Sequence, residues 1–301
     1  MPIRIDKLED LAAQTGPLHL ALGVFDGVHV GHQAVIARAV DAAAQQGGKS
    51  FVVTFSPHPI RVIAPDKAPA SLLSTLDDKA EVVKSLGVDG LLVIHFDEAF
   101  ARMAAEDFVR KICEGNVATI AVGEDWRFGS KRHGDVEMLR AMGGELGFRL
   151  EAVAPVMCDG ERISSTRIRQ AIRDGNFDSV SRMLGRSYVV SGTVIEGKKL
   201  GRELGFPTAN LRLGDQQTPS DGVWAVEVDG YLKGVANLGT RPTVGGGERL
   251  LEVHLLDFSG DLYGKVLKVR FVRFLRGERK FESVDELKGQ ILLDVTAALL
   301  P

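Results

Sequence analysis

Two histidines, His29 and His32, lie three residues apart, just after an apolar run that ends in Phe25 and a turn at Asp26-Gly27. The segment Gln33–Gln46 that follows has a helical pattern. A helix N-terminus offers unpaired N–H groups and the positive end of a dipole, which suit a phosphate. Imidazoles on its first turn could donate hydrogen bonds to a phosphoryl oxygen as negative charge builds. The pattern predicts attack on a nucleotide phosphate; the alternatives are a metal pair or ordinary loop residues.

A second polar segment, Ser164–Arg169, opens another predicted helix with three hydroxyls and two arginines. Hydroxyls and free N–H groups can hold β- and γ-phosphates, and arginine adds bidentate charge. The alternative is a plain N-cap with surface arginines. Together with the upstream histidines, the segment favours triphosphate binding.

Glycines and basic residues are concentrated between Gly192 and Asn210, which suggests a phosphate-binding loop, although the Walker A pattern is absent. Thr208 and Asn210 lie two residues apart, so on an extended chain they face the same way. Their oxygens are hard ligands that suit Mg²⁺ carrying a nucleotide. The alternative is a glycine-rich hairpin with a polar edge.

Glu252 and His254 share one face of a predicted strand. A carboxylate close to Thr208 could act as a general base on a hydroxyl group. A solvent-facing polar stripe is the alternative for this pair.

The elements that must position these residues change in character along the chain. From residue 18 to about 172, apolar runs alternate with helical patterns, which predicts a Rossmann-like parallel sheet covered on both faces. Ligands then bind beyond the carboxyl ends of the strands, where the polar segments converge. The predicted strands are Leu18–Phe25, Ser50–Phe55, Leu91–Phe96, Thr119–Gly123 and Leu150–Pro155, and the predicted helices are Gln33–Gln46, Thr75–Leu86, Ala105–Cys113 and Val136–Leu146.

After about residue 186, short β-rich runs punctuated by glycine predict an antiparallel barrel or sandwich. A helix over Val284–Leu299 closes the chain, with Ser283 as its N-cap. The domain boundary is expected after a short helix at Asp178–Leu184, giving domains of residues 1–185 and 186–301. The predicted strands are Tyr188–Ile195, Val223–Val228, Val235–Leu238, Leu250–Asp257 and Leu267–Phe274.

The bulk composition excludes several classes of function. The 301 residues are 45% hydrophobic and 26% charged, with a net charge of −3 and mixed signs throughout, so no nucleic-acid surface is expected. No apolar run approaches the roughly 18 residues of a membrane helix, and the first residues lack a signal-peptide core. With two cysteines, a reduced cytoplasmic setting is expected. We expect small-molecule substrates, no membrane partner, and a monomer or weak homo-oligomer.

From about Leu20 to Asp294 the chain resembles the bacterial bifunctional riboflavin kinase/FAD synthetase family. The matching segments include Gly-Val-Phe-Asp-Gly-Val-His-Val-Gly-His, Thr-Phe-Ser-Pro-His-Pro, Ile-Ser-Ser-Thr-Arg-Ile-Arg, Leu-Gly-Arg-Glu-Leu-Gly-Phe-Pro-Thr-Ala-Asn and Glu-Val-His-Leu-Leu-Asp-Phe. The resemblance implies that the β-rich domain phosphorylates riboflavin with ATP to give FMN. It implies that the N-terminal domain, similar to the HxGH nucleotidyltransferases, transfers AMP from ATP to FMN, giving FAD and pyrophosphate.

The resemblance also implies roles for individual residues. His29 and His32 would stabilise the transferring α-phosphoryl group, and Glu252 would deprotonate the riboflavin 5′-hydroxyl. Thr208 and Asn210 would bind Mg²⁺ with ATP. The expected nucleotide or phosphate contacts are Gly23, Phe25, Asp26, Ser165, Thr166, Arg169, Gly197, Lys198, Gly201, Thr208 and Asn210. The expected flavin contacts are Pro57, His58, Asp125, Phe128, Arg241 and Arg276.

Two positions depart from the family pattern, with Trp126 where phenylalanine is expected and Trp224 where tyrosine is expected. Both keep an aromatic face, so ring stacking and flavin affinity are the properties they would change. Two other functions remain open at this point. One is an enzyme with a single activity or another acceptor, and the other is a flavin-binding regulator without turnover.

Overall fold

The computed structural model describes residues 3–197, 200–241 and 248–300. The chain forms two compact units. The first, here called the sheet unit, is Met1–Ala70 with Leu76–Ser165, and the second, the barrel unit, is Ser71–Thr75 with Thr166–Pro301. The expected functional boundary after residue 185 stays a prediction.

Within the described residues, the sheet unit contains a six-stranded sheet in the order β1-β4-β3-β2-β5-β6, and every neighbouring pair is parallel. The predicted parallel α/β architecture is therefore confirmed. From β2 the chain continues to β3 and β4 on one side of the sheet, and later to β5 and β6 on the other side. The crevice at such a change of direction is where open α/β sheets bind ligands. The strands are β1 (Ile3–Ile5), β2 (Leu18–Leu22), β3 (Lys49–Ser56), β4 (Gly90–His95), β5 (Val117–Gly123) and β6 (Arg149–Val153), and a hairpin follows with β7 (Met157–Cys158) and β8 (Glu161–Arg162).

Helices cover both faces of this sheet because successive strand residues point to opposite sides. Along β2, Leu20 and Leu22 pack into one core with Phe108, while Ala21 packs into another with Ile36. All five residues of β2 are buried, as expected for the centre of a parallel sheet. The helices of this unit are α1 (Leu8–Ala12), α2 (Val30–Gln46), α3 (Pro59–Ile63), α4 (Leu76–Ser85), α5 (Glu98–Ala101), α6 (Ala105–Ile112) and α7 (Val136–Leu146).

Two predicted boundaries around the histidines were wrong. The first long strand ends at Leu22 rather than Phe25, because Phe25 adopts a left-handed backbone with a φ of 50°. Helix α2 begins at Val30 rather than Gln33, because His29 caps it with its side chain. Both histidines therefore lie at the helix N-terminus.

The barrel unit contains a closed barrel in the order β10-β13-β12-β11-β14-β9, with antiparallel neighbours. The sequence left a barrel and a sandwich open, and the closed strand order shows that this unit is a barrel. Closure depends on β10, a four-residue strand that the sequence did not predict. The strands are β9 (Val190–Ile195), β10 (Ala209–Arg212), β11 (Gly222–Val228), β12 (Leu232–Arg241), β13 (Glu248–Leu255) and β14 (Val266–Arg276).

The last helix has the predicted bounds. The remaining helices are α8 (Ser165–Arg173), α9 (Phe177–Leu184), α10 (Leu200–Leu204) and α11 (Val284–Leu299). The backbone N–H of Glu286 donates to the hydroxyl of Ser283 at 3.1 Å, which confirms the N-cap. Over the described residues, no helix has both the length and the apolar character needed to cross a membrane.

Candidate active sites

The two histidines stack at the N-terminus of α2. Nδ1 of His29 accepts a hydrogen bond from the backbone N–H of His32 at 3.3 Å. The ring centroids are 3.5 Å apart and the ring planes differ by 17°. Since Nδ1 of His29 accepts, the proton of the neutral ring is assigned to Nε2, which can donate to a ligand.

Burial keeps His32 neutral. The pKa of His32 is lowered well below the ordinary value of 6.5, chiefly because burial penalises the charged form. Electrostatic interactions with His29, Lys79 and Arg162 lower it further. Nδ1 of His32 is buried and has no hydrogen-bond partner among the described residues. A buried polar atom of this kind is costly unless water or a ligand satisfies it, so the atom is a candidate ligand contact.

The turn that carries the histidines has a strained backbone. Phe25 and Val28 are buried and have φ values of 50° and 42°. Such conformations cost on the order of 1–3 kcal/mol for residues other than glycine and persist only where the surroundings impose them. Between them, the carbonyl of buried Asp26 accepts a hydrogen bond from the Ser165 hydroxyl at 3.0 Å. Tertiary contacts therefore hold this turn.

A cavity of about 310 Å³, here called the histidine cavity, opens beside the two imidazoles. It brings the predicted residues Gly23, Phe25 and Ser165 together with the histidines, over stretches far apart in sequence. A phosphate held there would meet both imidazole donors and the N-terminus of α2. The lining includes Gly23, Val24, Phe25, His29, His32, Asp125, Trp126, Arg162 and Ser165.

Arg162 is a residue of this cavity that the sequence analysis missed. Its guanidinium pairs with the Asp125 carboxylate at 2.6 Å, and both side chains are about half exposed. The hydrogen bond from Arg162 is the main reason that the pKa of Asp125 is lowered. Arg162 comes from the short hairpin β7–β8, whose two-residue strands give no periodic signal, and the signal available was an arginine just before Ser164–Arg169.

A second cavity of the sheet unit, the aromatic cavity, has a volume of about 110 Å³. Phe128, a predicted flavin contact, stacks on Trp126 there with ring centroids 4.5 Å apart. Val24 and Trp126 line both cavities, so the two cavities are adjacent. An apolar slot beside a phosphate position suits a fused-ring ligand. The lining includes Val24, Phe55, Pro59, Phe96, Phe100, Met103, Phe108, Trp126 and Phe128.

Several other predicted contacts have structural partners. The His58 side chain accepts from the Ile60 N–H and caps α3, and Pro57 precedes it. Thr166 and Arg169 are further along α8 and belong to the barrel unit. Arg169 is buried, and its Nε donates to the Ser71 carbonyl at 2.9 Å. Their roles toward a ligand stay predictions.

In the barrel unit, half-buried Glu252 and His254 line a cavity of about 660 Å³, here called the Glu252 cavity. Strand register places Glu252 opposite Asn210 on β10 and Asn237 on β12. His254 bonds through Nδ1 to the Pro207 carbonyl at 2.8 Å. The predicted carboxylate is therefore part of a cavity wall, and the alternative of a purely solvent-facing polar stripe does not describe its position.

Thr208 lies between two cavities. It lines the Glu252 cavity and also a neighbouring cavity of about 570 Å³, the Asp261 cavity, which includes Arg202, Phe258 and Asp261. A hydroxyl shared by two cavities can contact groups held in each. The Thr208 hydroxyl therefore has a suitable position to coordinate a metal ion bound between a nucleotide and its phosphate acceptor.

Close backbone approach explains two of the predicted glycines. A Cβ on Gly197 would lie 2.3 Å from Nδ2 of Asn210, which is buried. A Cβ on Gly201 would lie 2.4 Å from the Phe206 carbonyl oxygen. A larger residue at position 197 would displace the Asn210 side chain, and one at position 201 would displace the backbone at Phe206, next to Thr208. Lys198 lies outside the described residues, as does the side chain of Arg241.

Arg276 lines the Glu252 cavity, yet its charge is already paired. Its Nε and Nη2 donate to the Asp294 carboxylate at 3.0 and 2.8 Å, and Asp294 is only 5% exposed. Trp224 is a core residue, 2% exposed, and its indole N–H donates to the Ser220 carbonyl. Its ring packs against Phe271, so it does not offer a free face for stacking.

A histidine pair at a helix N-terminus on a parallel sheet, and a carboxylate in the wall of an antiparallel barrel, define a two-site phosphotransferase. Two family models match the chain, FAD synthetase over residues 12–167 and riboflavin kinase over residues 184–300. The chain therefore belongs to the bifunctional riboflavin kinase/FMN adenylyltransferase family, and the resemblance seen in the sequence is confirmed.

Two relatives carry this family name. The chain is 42% identical to the bifunctional riboflavin kinase/FMN adenylyltransferase of Escherichia coli K12, with 93% of this chain and 91% of the relative covered. It is 43% identical to the protein of the same name from Pseudomonas fluorescens, with coverages of 92% and 90%. Among solved structures, a crystal structure described as a macrolide-efflux protein from Streptococcus pneumoniae matches with a TM-score of 0.84 at 32% identity, covering 99% and 98% of the two chains.

Proposed function

We propose that this chain phosphorylates riboflavin with ATP to give FMN, and then transfers AMP from ATP to FMN to give FAD and pyrophosphate. The observation that carries the proposal is that each family match contains its own cavity with matching chemistry. The FAD synthetase match contains the stacked histidines, and the riboflavin kinase match contains Glu252 and Thr208.

For adenylyl transfer, we place the ATP phosphates in the histidine cavity and the flavin ring in the aromatic cavity. The shared walls, Val24 and Trp126, bring the two ligands together at the imidazoles. An oxygen of the FMN phosphate attacks the α-phosphorus of ATP, and pyrophosphate leaves in line. The attacking phosphate is already ionised near neutral pH, so no strong base is needed. His29 donates through Nε2 to the transferring group, and neutral His32 adds a second polar ring.

For the kinase step, we place riboflavin in the Glu252 cavity and the nucleotide in the Asp261 cavity, since Thr208 lies between them. Glu252 orients the 5′-hydroxyl and accepts its proton as the oxygen attacks the γ-phosphorus. The hydroxyl of Thr208 and the amide oxygen of Asn210 are hard donors that fit Mg²⁺. When bound, Mg²⁺ neutralises charge on the phosphate oxygens.

We further propose a cytoplasmic location, small-molecule substrates without nucleic acid, and a monomer or weak homo-oligomer. Cys113 and Cys158 are not disulfide-bonded, which supports a reducing compartment. The mixed charge of the chain supports the absence of a nucleic-acid partner.

The test is a time course of the purified protein with riboflavin, ATP and Mg²⁺, with the flavins separated by chromatography. FMN should rise first and then give way to FAD. FMN that accumulates without FAD would leave only the kinase activity. No conversion at all would favour the flavin-binding regulator.

A further inference from the structure

A buried lysine, Lys79, contacts the turn that carries His29 and His32. It has no role in either of the proposed reactions. Lys79 is on α4 and is 7% exposed. Its Nζ donates to the Val24 carbonyl at 2.8 Å and to the Thr54 hydroxyl at 3.3 Å. The Thr54 hydroxyl also donates to the Val24 carbonyl, at 2.9 Å. A buried ammonium is costly to desolvate, so a fold keeps one only where its partners compensate for the loss of water.

The residue that Lys79 contacts is at the centre of the proposed adenylyltransferase. Val24, together with Trp126, lines both the histidine cavity and the aromatic cavity. It precedes Phe25, the first strained residue of the turn, and Asp26, whose buried carboxylate attracts the ammonium. Lys79 and Thr54 therefore stabilise the turn by donating to the Val24 carbonyl. Val24 lies where the two proposed substrates would meet.

The charge of Lys79 also reaches the imidazoles. It is one of the positive charges that lower the pKa of His32. The titratable groups around Lys79 and His32 come from several elements. They are Asp26 and His29 from the turn, His32 from α2, Lys79 from α4 and Arg162 from β8. Loss of the ammonium would thus change the geometry of the turn and remove one of the causes that lower the pKa of His32.

We propose that Lys79 is a positioning residue for adenylyl transfer, whose ammonium holds the Val24 carbonyl and Asp26 so that His29 and His32 stay aimed at the junction of the two cavities. This inference rests on the proposed FAD-forming activity. It goes beyond that activity because Lys79 touches neither cavity itself.

Lys79→Met tests the proposal, with Lys84→Met as the matched control because Lys84 is exposed on the same helix. A misplaced catalytic group of this kind costs about 10²-fold in rate. We expect Lys79→Met to lower kcat for FAD formation by about 10²-fold while KM for FMN changes by less than about threefold. The kinase rate of the same protein is the internal control for folding, and it should stay unchanged. A Lys79→Met protein with at least half the wild-type kcat for FAD formation would overturn the proposal.

Two further variants, Thr54→Val and Lys79→Arg, separate a positioning role of Lys79 from a merely structural one. Thr54→Val keeps the side-chain shape and removes one donor to Val24, so FAD formation should slow while the kinase rate stays the same. If Lys79→Met does not fold, the pH profiles of the wild type and of Lys79→Arg decide the matter, because Lys79 keeps its own hydrogen bond to Val24 in Thr54→Val.

The pH profile is the third readout. Burial lowers the pKa of Lys79 to about 8, so kcat/KM for FAD formation should fall above about pH 8 in the wild type. Lys79→Arg stays charged and should keep its activity to higher pH than the wild type does. An alkaline limb at the same pH in both proteins would overturn the proposal. A wild type that forms no FAD would instead overturn the proposed function itself.

Discussion

The ion pair between Arg276 and Asp294 should stabilise the barrel unit far more than an ordinary surface pair. It joins β14 to α11, with side chains only 21% and 6% exposed. Asp294 accepts from Nε and Nη2 of Arg276 and from the Gln290 amide at 2.8 Å. Replacing Arg276 with leucine leaves a buried carboxylate with one neutral donor. Breaking a buried pair in this way costs about 3–5 kcal/mol in the free energy of unfolding.

A second pair, between the loop that follows β14 and α11, provides the control. Arg279 donates to Glu286 at 2.8 Å, but these side chains are 47% and 43% exposed. Water screens such a pair, so Glu286→Gln should cost about 0–1 kcal/mol. The double variant Arg276→Leu with Asp294→Leu removes both buried charges together. It should therefore recover much of the stability that Arg276→Leu alone loses.

Urea unfolding followed by tryptophan fluorescence measures these differences. The chain has two tryptophans, and Trp126→Phe leaves Trp224, which is buried in the barrel unit, as the only reporter. Arg276 and Asp294 also line the Glu252 cavity, so Arg276→Leu should raise KM for riboflavin without changing FAD formation from added FMN. The reasoning fails if Arg276→Leu costs no more than Glu286→Gln, or if the double variant is as unstable as the two single variants added together.

Further predictions concern the two sites. His29→Ala should lower FAD formation by about 10²–10³-fold, through loss of a donor to the transferring group, and leave FMN formation intact, as measured by flavin chromatography; equal loss of both activities would contradict separate sites. Glu252→Gln should lower the kinase kcat by about 10²–10⁴-fold and spare FAD formation from added FMN, and an unaffected kinase would exclude its role as base. Because folding lowers the pKa of His32, the unfolded chain takes up a proton first as the pH falls below 6.5, so the free energy of unfolding should decrease there. His32→Gln should remove that dependence, measured by urea unfolding between pH 5.5 and 7.5, and a dependence that persists unchanged would assign it to another group.

Much of the fold could be predicted because its signals are local. The near-continuous apolar runs around Leu20 and Ile120 indicate strands buried on both faces, and their separation by helical segments indicates a parallel sheet. Ser283 followed three residues later by Glu286 indicates where α11 begins. Strand β10 was missed because four residues are too few for a periodic pattern, and its pairing with β9 and β13 comes from barrel closure.

The same distinction between local signals and contacts formed only on folding applies to the candidate sites. The types and spacing of His29, His32 and Glu252 indicated phosphoryl chemistry from the sequence alone, because a turn after a strand and alternation along a strand are properties of neighbouring residues. Arg162 and Lys79 gave no such signal, since each acts on atoms that lie more than 35 residues away along the chain and that it reaches only after folding.

The sequence by itself determined the family, the parallel α/β sheet and the β-rich character of the second domain, and it predicted the residues that would carry the chemistry. Only the tertiary structure decided that Arg276 is neutralised by Asp294, that Trp224 is a core residue and that Thr208 lies between two cavities. It also decided that His32 is held neutral. These properties depend on burial and on charges brought together from distant segments, and a linear pattern of residues records neither.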